Sequence, residues 1–213
     1  MTAEQFDYLM VVGSLQWMVC STRPDLAQAT GMLARYSNNP GPEQVEAARH
    51  VLRYVAGTCD LGITYHGSAA VLRAGYDHRD KLIAAVDSDL GGCNDSQKST
   101  AGILVMLNGG AISWRSKLMS TNSTATLEAE MKAAAMCSVE VGWLRDLVSE
   151  LGVEQGCVRV FEDNTGCAQL AHGAKDTAKS NHFKRAVAYV EDNVSRGVLW
   201  LDDVDGSENP ADI

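Results

Sequence analysis

The sequence lacks the long apolar run of a membrane protein and the opening signal sequence of an exported one. No stretch reaches the ~20 consecutive apolar residues that a transmembrane helix needs. It also contains no C-x-x-C pair and no histidine at the spacing of a zinc ligand. We therefore expect an intracellular protein with no membrane partner, whose six cysteines are reduced and mostly buried rather than bound to zinc.

Positive charge is scarce as well. The chain has 18 Lys and Arg against 27 Asp and Glu, a net charge of −9. This balance argues weakly against a nucleic-acid partner, because phosphates favour basic surfaces. An acidic metal site also concentrates carboxylates, however, and bound cations then reverse the local field. One stretch holds a cluster of basic side chains, namely His172, Lys175, Lys179, His182, Lys184 and Arg185. A solvated helix face and a phosphate contact both explain such a stretch.

Residues 1–66 are predicted to form a small helical segment. Their apolar side chains recur at helical spacing, and Pro24 stands where a first-turn proline belongs. Gly57 is predicted to lie just past the end of a helix. The run "LGITYH", residues 61–66, predicts a short strand, and residues 67–80 predict a linker.

Residues 81–213 are predicted to form an α/β domain. Three strand-like runs come first, with a hairpin signal at Asn108 and Gly109 between the last two. A long helix from about Ser123 to Leu151 follows, and then a strand, two helical stretches and a final strand. This order predicts a five-stranded mixed sheet, with an antiparallel three-strand meander followed by parallel strands and flanked by helices.

Four acidic residues stand at or near the ends of these elements. Asp87 closes the apolar run "LIAAV", Asp163 ends the strand "CVRVFED", and Asp212 follows the final strand. Glu130 lies near the start of the long helix on its core-facing side. Around the helix axis, Glu128 lies about 100° from the core-facing stripe, on the side opposite to Glu130. Glu128 is therefore expected to point to solvent. Each acid alone has a structural explanation, such as a helix cap at Asp163 or Asp212.

The four acids together favour a metal site. In a sheet of this order their positions converge on one edge. Without metal, four neighbouring carboxylates would repel one another and raise their pKa values. Two Mg²⁺ ions about 4 Å apart would turn them into a cage for in-line phosphoryl displacement.

Five segments in order carry a resemblance to a known family. They are "VGSLQWMVCSTRPDLAQATGMLARYSNNP" with "AARHVLRYVAGTCDLGITY", then "DSDLGGCNDSQKSTAG", "GGAISWRSKLMSTNSTATLEAEMKA", "EDNTGCAQLA" and "NPADI". Together they resemble the C-terminal part of the Pol polyprotein of copia-type LTR retrotransposons, which is the end of reverse transcriptase followed by ribonuclease H (RNase H). The last four segments are similar to the family's DADWAGDLDDRKSTSG, TEAEYMA, CDNQSAIALA and DQLADIF. The resemblance implies an RNase H-like fold for residues 81–213, truncated at its last helix, behind a helical reverse-transcriptase remnant in residues 1–66.

The resemblance also implies a reaction. It implies hydrolysis of the RNA strand of an RNA–DNA hybrid by two Mg²⁺ ions, for which Mn²⁺ can substitute, with 5′-phosphate products. The implied catalytic and metal-binding residues are Asp87, Glu130, Asp163 and Asp212. Asp87 would bridge both metals, and Glu130 and Asp163 would complete the metal at the leaving oxygen. Asp212 would help to hold the metal that activates water.

Hybrid-binding residues are predicted from proximity and charge. Backbone amides and small polar side chains near the acids can read the RNA 2′-OH, and basic side chains can hold DNA phosphates. The candidates are Gly91, Gly92, Asn94, Ser123, Asn164, Lys179, His182, Lys184 and Arg185. The resemblance further implies, as partners, the reverse transcriptase and integrase parts of Pol, and a place in the cytoplasm or in virus-like particles.

Two other interpretations stay open. The chain can be a catalytically inactive or domesticated RNase H-fold module that binds nucleic acid or acts as a scaffold. It can also be a small acidic ion-binding or structural α/β protein, which the net charge alone supports. Polymerase activity is excluded for this chain by itself, because it lacks the Y-x-D-D motif of the family's polymerase.

Overall fold

The computed structural model describes residues 6–66, 79–93, 95–173 and 183–211. The chain divides into two compact units, Met1–Ile63 and Thr64–Ile213.

The segment 61–66 contains no strand, so that prediction is wrong. A strand needs a ladder of backbone hydrogen bonds. Among the described residues, only His66 of this segment pairs its backbone with the sheet, through a 2.9 Å bond from its N–H to the carbonyl of Asn108.

The first unit consists of short helices. They are α1 (Tyr8–Ser21), a 3₁₀ helix (Pro24–Leu26), α2 (Ala27–Ala34) and α3 (Pro42–Gly57). Asp7 caps α1, because its carboxylate accepts the Met10 N–H at 3.0 Å. Pro24 opens the 3₁₀ helix, as a first-turn proline should. Gly57 is still helical and Thr58 is the C-cap, so α3 ends one residue later than predicted.

A buried arginine links the segment after α1 to the C-terminal end of α3. The Arg23 side chain is only 4% exposed. Its guanidinium donates to Asp25 at 2.7 Å and to the hydroxyl and carbonyl oxygens of Thr58 at 2.7 and 3.1 Å. The face of the Tyr54 ring lies 5.7 Å from the guanidinium carbon. These acceptors and the ring together compensate the buried charge.

The second unit is built on a five-stranded mixed sheet. The strands are β1 (Leu82–Asp89), β2 (Thr100–Leu107), β3 (Gly110–Leu118), β4 (Val158–Glu162) and β5 (Leu199–Asp203). Their order is β3-β2-β1-β4-β5, antiparallel from β3 to β1 and parallel from β1 to β5. The predicted α/β class, with an antiparallel three-strand meander followed by parallel strands, is confirmed.

Three helices flank this sheet: α4 (Thr126–Glu150), α5 (Thr165–Ala171) and α6 (Lys184–Ser195). Helix α4 packs on β1 through the predicted stripe, in which Met131, Ala134 and Val141 are at most 1% exposed. The β1 side chains on this face, Ala84 and Val86, are fully buried beneath it. The start of α4 is thereby fixed against the end of β1.

Two further expectations concern membranes and cysteines. In the part of the chain that the structure describes, no helix is both long and apolar enough to cross a lipid bilayer. All six cysteines are free. They are buried less often than predicted, because three of them, Cys20, Cys59 and Cys157, are exposed.

Candidate metal centre

Strand pairing brings two of the predicted acids side by side. Strand β4 runs parallel to β1 with Ala85 opposite Phe161. Continuing this register by two residues places Asp87 opposite Asp163. Neighbouring strands lie about 4.7–4.9 Å apart, so two carboxylates at matched positions can share one cation.

The third acid comes from the first turns of α4. Oxygen atoms of Asp87, Glu130 and Asp163 all lie within 4.8 Å of one another. Glu130 is only 3% exposed, and its Oε2 has no hydrogen-bond partner among the described residues. The structure therefore brings together three of the four acids, and the fourth, Asp212, lies outside the described residues.

The surroundings of Glu130 disfavour a negative charge. Its pKa is raised to about 8, mainly by burial; the charges of Asp87 and Asp163 contribute to the rise, and hydrogen bonding with Ser88 opposes it. An acid in this position is neutral at pH 7 unless a cation is present.

Glu128 does not point to solvent as predicted. It is 5% exposed, and its Oε2 accepts from the backbone N–H and the hydroxyl of Thr124, at 2.8 and 2.9 Å. Lys132 lies 2.8 Å from its Oε1. Burial raises the pKa of Glu128, but Lys132 and Thr124 outweigh it and the net shift is downward. Glu128 is thus a paired acid that stabilises the start of α4.

Sequence reasoning missed a further acid, Glu162. It is fully buried, its Oε1 accepts the Asn164 N–H at 3.2 Å, and its Oε2 has no partner in the described part of the chain. Burial, and then the charge of Glu130, raise its pKa to about 9. The period of two along β4 would have found it, because Val158 and Val160 face the core and Glu162 continues that face.

The structure separates Asp163 from the role of a helix cap. The N-cap of α5 is Asn164, whose side-chain oxygen accepts the Cys167 N–H at 3.0 Å. The carboxylate of Asp163 instead belongs to the acid cluster. Gly206 lies close to this carboxylate, since a Cβ at Gly206 would be 3.3 Å from Asp163 Oδ2. Asn164, predicted to bind the hybrid, therefore has a structural role beside the cluster.

The predicted glycines lie in the turn that follows β1. Gly91 has a φ of +68°, which L side chains rarely adopt. A Cβ at Gly92 would lie 1.5 Å from Asp89 Oδ2, so a side chain there would require the Asp89 carboxylate to move. Ser123 lies before α4, with its hydroxyl 3.3 Å from Lys132 Nζ. In the sequence, Gly91 and Gly92 lie close to Asp87, and Ser123 lies close to Glu130. The contacts above give each of these residues a structural explanation.

The basic candidates are only partly described. Lys184 and Arg185 are exposed on the first turn of α6, a different element from those that carry the acid cluster. Asn94, Lys179 and His182 lie outside the described residues. The roles of all these residues remain predictions.

The donor set of the cluster fits a hard divalent cation. Carboxylate oxygens are the ligands that Mg²⁺ and Mn²⁺ favour. The buried and unpartnered Oε2 of Glu130 is an atom that a cation would satisfy. Among the described residues this group consists of the three carboxylates, with no histidine or cysteine in it.

Comparison with known proteins places the chain among transposon proteins. No family model matches it. It is 34% identical over 206 residues, 97% of its length, to a retrovirus-related Pol polyprotein from transposon TNT 1-94 of Nicotiana tabacum. It is 32% identical over 207 residues to that of transposon RE2 of Arabidopsis thaliana. The chain spans 15% and 14% of the length of these two polyproteins.

A shorter relative and a solved structure match part of the chain. Secreted RxLR effector protein 161 of Plasmopara viticola is 37% identical over 137 residues, which are 64% of this chain and 90% of that protein. Among solved structures, LC11-RNase H1, isolated from compost, is 18% identical with a TM-score of 0.49, and the match covers 62% of this chain and 91% of that one.

Proposed function

The chain belongs to the family of copia-type retrotransposon Pol polyproteins, and from that membership we propose that its second unit is an RNase H that hydrolyses the RNA strand of RNA–DNA hybrids. The observation that carries the proposal is the cluster of Asp87, Glu130 and Asp163 at the ends of two adjacent parallel strands. The oxygen atoms of the three acids lie close enough together to bind one cation. One of them, the buried Glu130 Oε2, has no hydrogen-bond partner among the described residues.

The three carboxylates are the groups that would hold the cations, with Asp212 as a further ligand. Divalent cations held there would supply Lewis-acid stabilisation of the phosphate and the leaving oxygen and would lower the pKa of a bound water, as hydrolysis to 5′-phosphate and 3′-hydroxyl ends requires. The protein's own part is to fix its oxygens before the substrate arrives. Strand pairing orients Asp87 and Asp163, and the packing of α4 on β1 holds Glu130, which is buried, beside them. Because a carboxylate must be deprotonated to hold a cation, Glu130 would bind one in its ionised form.

The partners and the location follow from the same premise. We propose an RNA–DNA hybrid as the substrate, with the turn at Gly91 and Gly92 near the RNA strand and with Lys184 and Arg185 contacting phosphates. Mg²⁺ is the proposed ion, and Mn²⁺ is a substitute. The reverse transcriptase and integrase parts of Pol are the proposed protein partners, in the cytoplasm or in virus-like particles.

A cleavage assay tests the proposal. The wild-type chain is incubated with an RNA–DNA hybrid that carries an end-labelled RNA strand, in Mg²⁺, in Mn²⁺ and in EDTA. We expect cleavage that needs the cation, and a loss of at least about 100-fold in the variant Asp87→Asn, Glu130→Gln, because both changes remove a ligand. Glu128→Gln, two residues from Glu130 and equally buried, is the matched control and should retain cleavage.

Two results would contradict the proposal. Cleavage by the double variant at the wild-type rate would assign the activity to another site. If the wild type cleaves the hybrid in neither Mg²⁺ nor Mn²⁺, catalysis is rejected. Binding of the hybrid in Ca²⁺ would then favour the inactive binding module.

A further inference from the structure

We propose that Asn209 is a positioning residue of the metal centre: its side-chain amide bridges the backbone before Asp87 to the backbone before Asp212. The inference rests on the proposed function, since it concerns the same site. It is not a ligand role, because Asn209 acts through the main chain on either side of it.

The bridge consists of two hydrogen bonds from one side chain. Asn209 Nδ2 donates to the carbonyl oxygen of Val86 at 3.0 Å, across 123 positions of sequence. Asn209 Oδ1 accepts the Ala211 N–H at 3.1 Å. Val86 is the residue before Asp87, and Ala211 is the residue before Asp212. One amide thus joins the two chain segments from which these two acids depart.

The bridge is buried and closely packed. Asn209 is 5% exposed and Ala211 6%. Ala211 belongs to a small apolar cluster on the sheet, together with Ile83, Ala85, Phe161 and Val204. Buried side-chain hydrogen bonds of this kind fix geometry, because leaving either group unpaired away from water is costly.

Gly102 allows the close approach of this segment to β1. It pairs with Asp87 in the antiparallel ladder. A Cβ at Gly102 would lie 3.2 Å from the carbonyl oxygen of Ala211 and 3.8 Å from that of Asp87. The segment at Ala211 therefore passes close to Gly102, the residue opposite Asp87. A side chain at Gly102 would force this segment to shift.

Metal affinity and hydrogen exchange test the bridge together. The variants are Asn209→Ala, Asp212→Asn and the two combined, with Gly102→Ala as an independent disturbance of the same contact. We measure the Mn²⁺ dissociation constant by calorimetry and, without metal, the exchange rate of the Ala211 amide. Asn193→Ala is the matched control, because Asn193 is 6% exposed and its Nδ2 donates to the Tyr189 carbonyl at 2.8 Å within α6.

We expect Asn209→Ala to weaken Mn²⁺ binding about tenfold or more, as losses of ligand-orienting partners do. Adding Asp212→Asn to it should weaken binding by a smaller factor than Asp212→Asn does alone, because the two changes disturb one coupled arrangement. Exchange at Ala211 should accelerate in Asn209→Ala, and Gly102→Ala should shift both readouts in the same direction. Asn193→Ala should change neither.

The contrary results separate this inference from the proposed function. Unchanged Mn²⁺ affinity in Asn209→Ala, or losses that multiply in the double variant, would overturn the inference alone. A wild type that binds no Mn²⁺ would overturn the proposed function and the inference together, and faster exchange at Ala211 would then mark the bridge as purely structural.

Discussion

The helical unit and the α/β unit both bury charged side chains, and they surround them in opposite ways. In the helical unit, Arg23 is 4% exposed and its guanidinium donates to Asp25 and Thr58. In the α/β unit, Glu130 and Glu162 are 3% and 0% exposed, and one oxygen of each has no partner among the described residues. Burying an unpaired charge is costly. The buried charge of Arg23 is thus matched by protein atoms, whereas the two buried acids each keep an oxygen that a cation would satisfy.

The same contrast recurs within one helix. Glu128 and Glu130 lie two positions apart on α4, and both are buried. Glu128 has Thr124 and Lys132 as partners and a lowered pKa. The pKa of Glu130 is raised to about 8. Burial is common to the two acids, so partners and not burial distinguish the structural acid from the candidate ligand.

The largest expected effect on stability lies in the helical unit. Arg23→Met should lower the free energy of unfolding of that unit by about 2–3 kcal/mol, because it removes the charged donor of a buried network. Urea unfolding measures this, with Arg53→Met as the control. The Arg53–Glu46 pair is exposed at 62% and 59%, and its loss should have no measurable effect. Equal losses in the two variants would break the contrast between paired burial and surface pairing.

A further effect on stability is expected from pH in the α/β unit without metal. The pKa of Glu130 rises from 4.5 to about 8 on folding, and that of Glu162 rises to about 9. Between about pH 4.5 and 8 the folded state therefore keeps protons that the unfolded state releases, so stability falls as pH rises. In EDTA, the melting temperature should drop by several degrees from pH 5 to pH 8. Glu162→Gln should reduce this slope.

Glu128→Gln is the control for the pH slope. Its folded pKa is lowered, so its contribution is present above pH 4.5 and is lost only as pH falls through the folded pKa. Between pH 5 and 8 the variant should keep the wild-type slope. A melting temperature that rises with pH in the metal-free wild type would contradict the unpartnered state of the buried acids.

Much of the fold was predictable because its signals are periodic. The strands, the long helix and the core side of Glu130 follow from spacings of 2 and 3.6 residues. The meeting of Asp87 and Asp163 also follows from the parallel order, since matched strand ends lie at one edge. These predictions need only the direction of each element.

The two errors at acidic residues have different causes. Glu128 lies on the side of α4 that rotation about the helix axis assigns to solvent, but the turn at Thr124 and the side chain of Lys132 cover it. This cover comes from tertiary neighbours, which the spacing along α4 does not contain. Glu162 was missed although the period of two along β4 places it on the buried face, because its charged residue type outweighed that pattern.

The most direct test of the account is Mn²⁺ binding by calorimetry to three proteins: the wild type, Glu130→Gln and Glu128→Gln. The account predicts that the wild type and Glu128→Gln bind Mn²⁺ alike, and that Glu130→Gln binds at least about 100-fold more weakly, because it loses a ligand. Wild-type affinity in Glu130→Gln would contradict the account, since the unpartnered acid would then have no part in holding a cation.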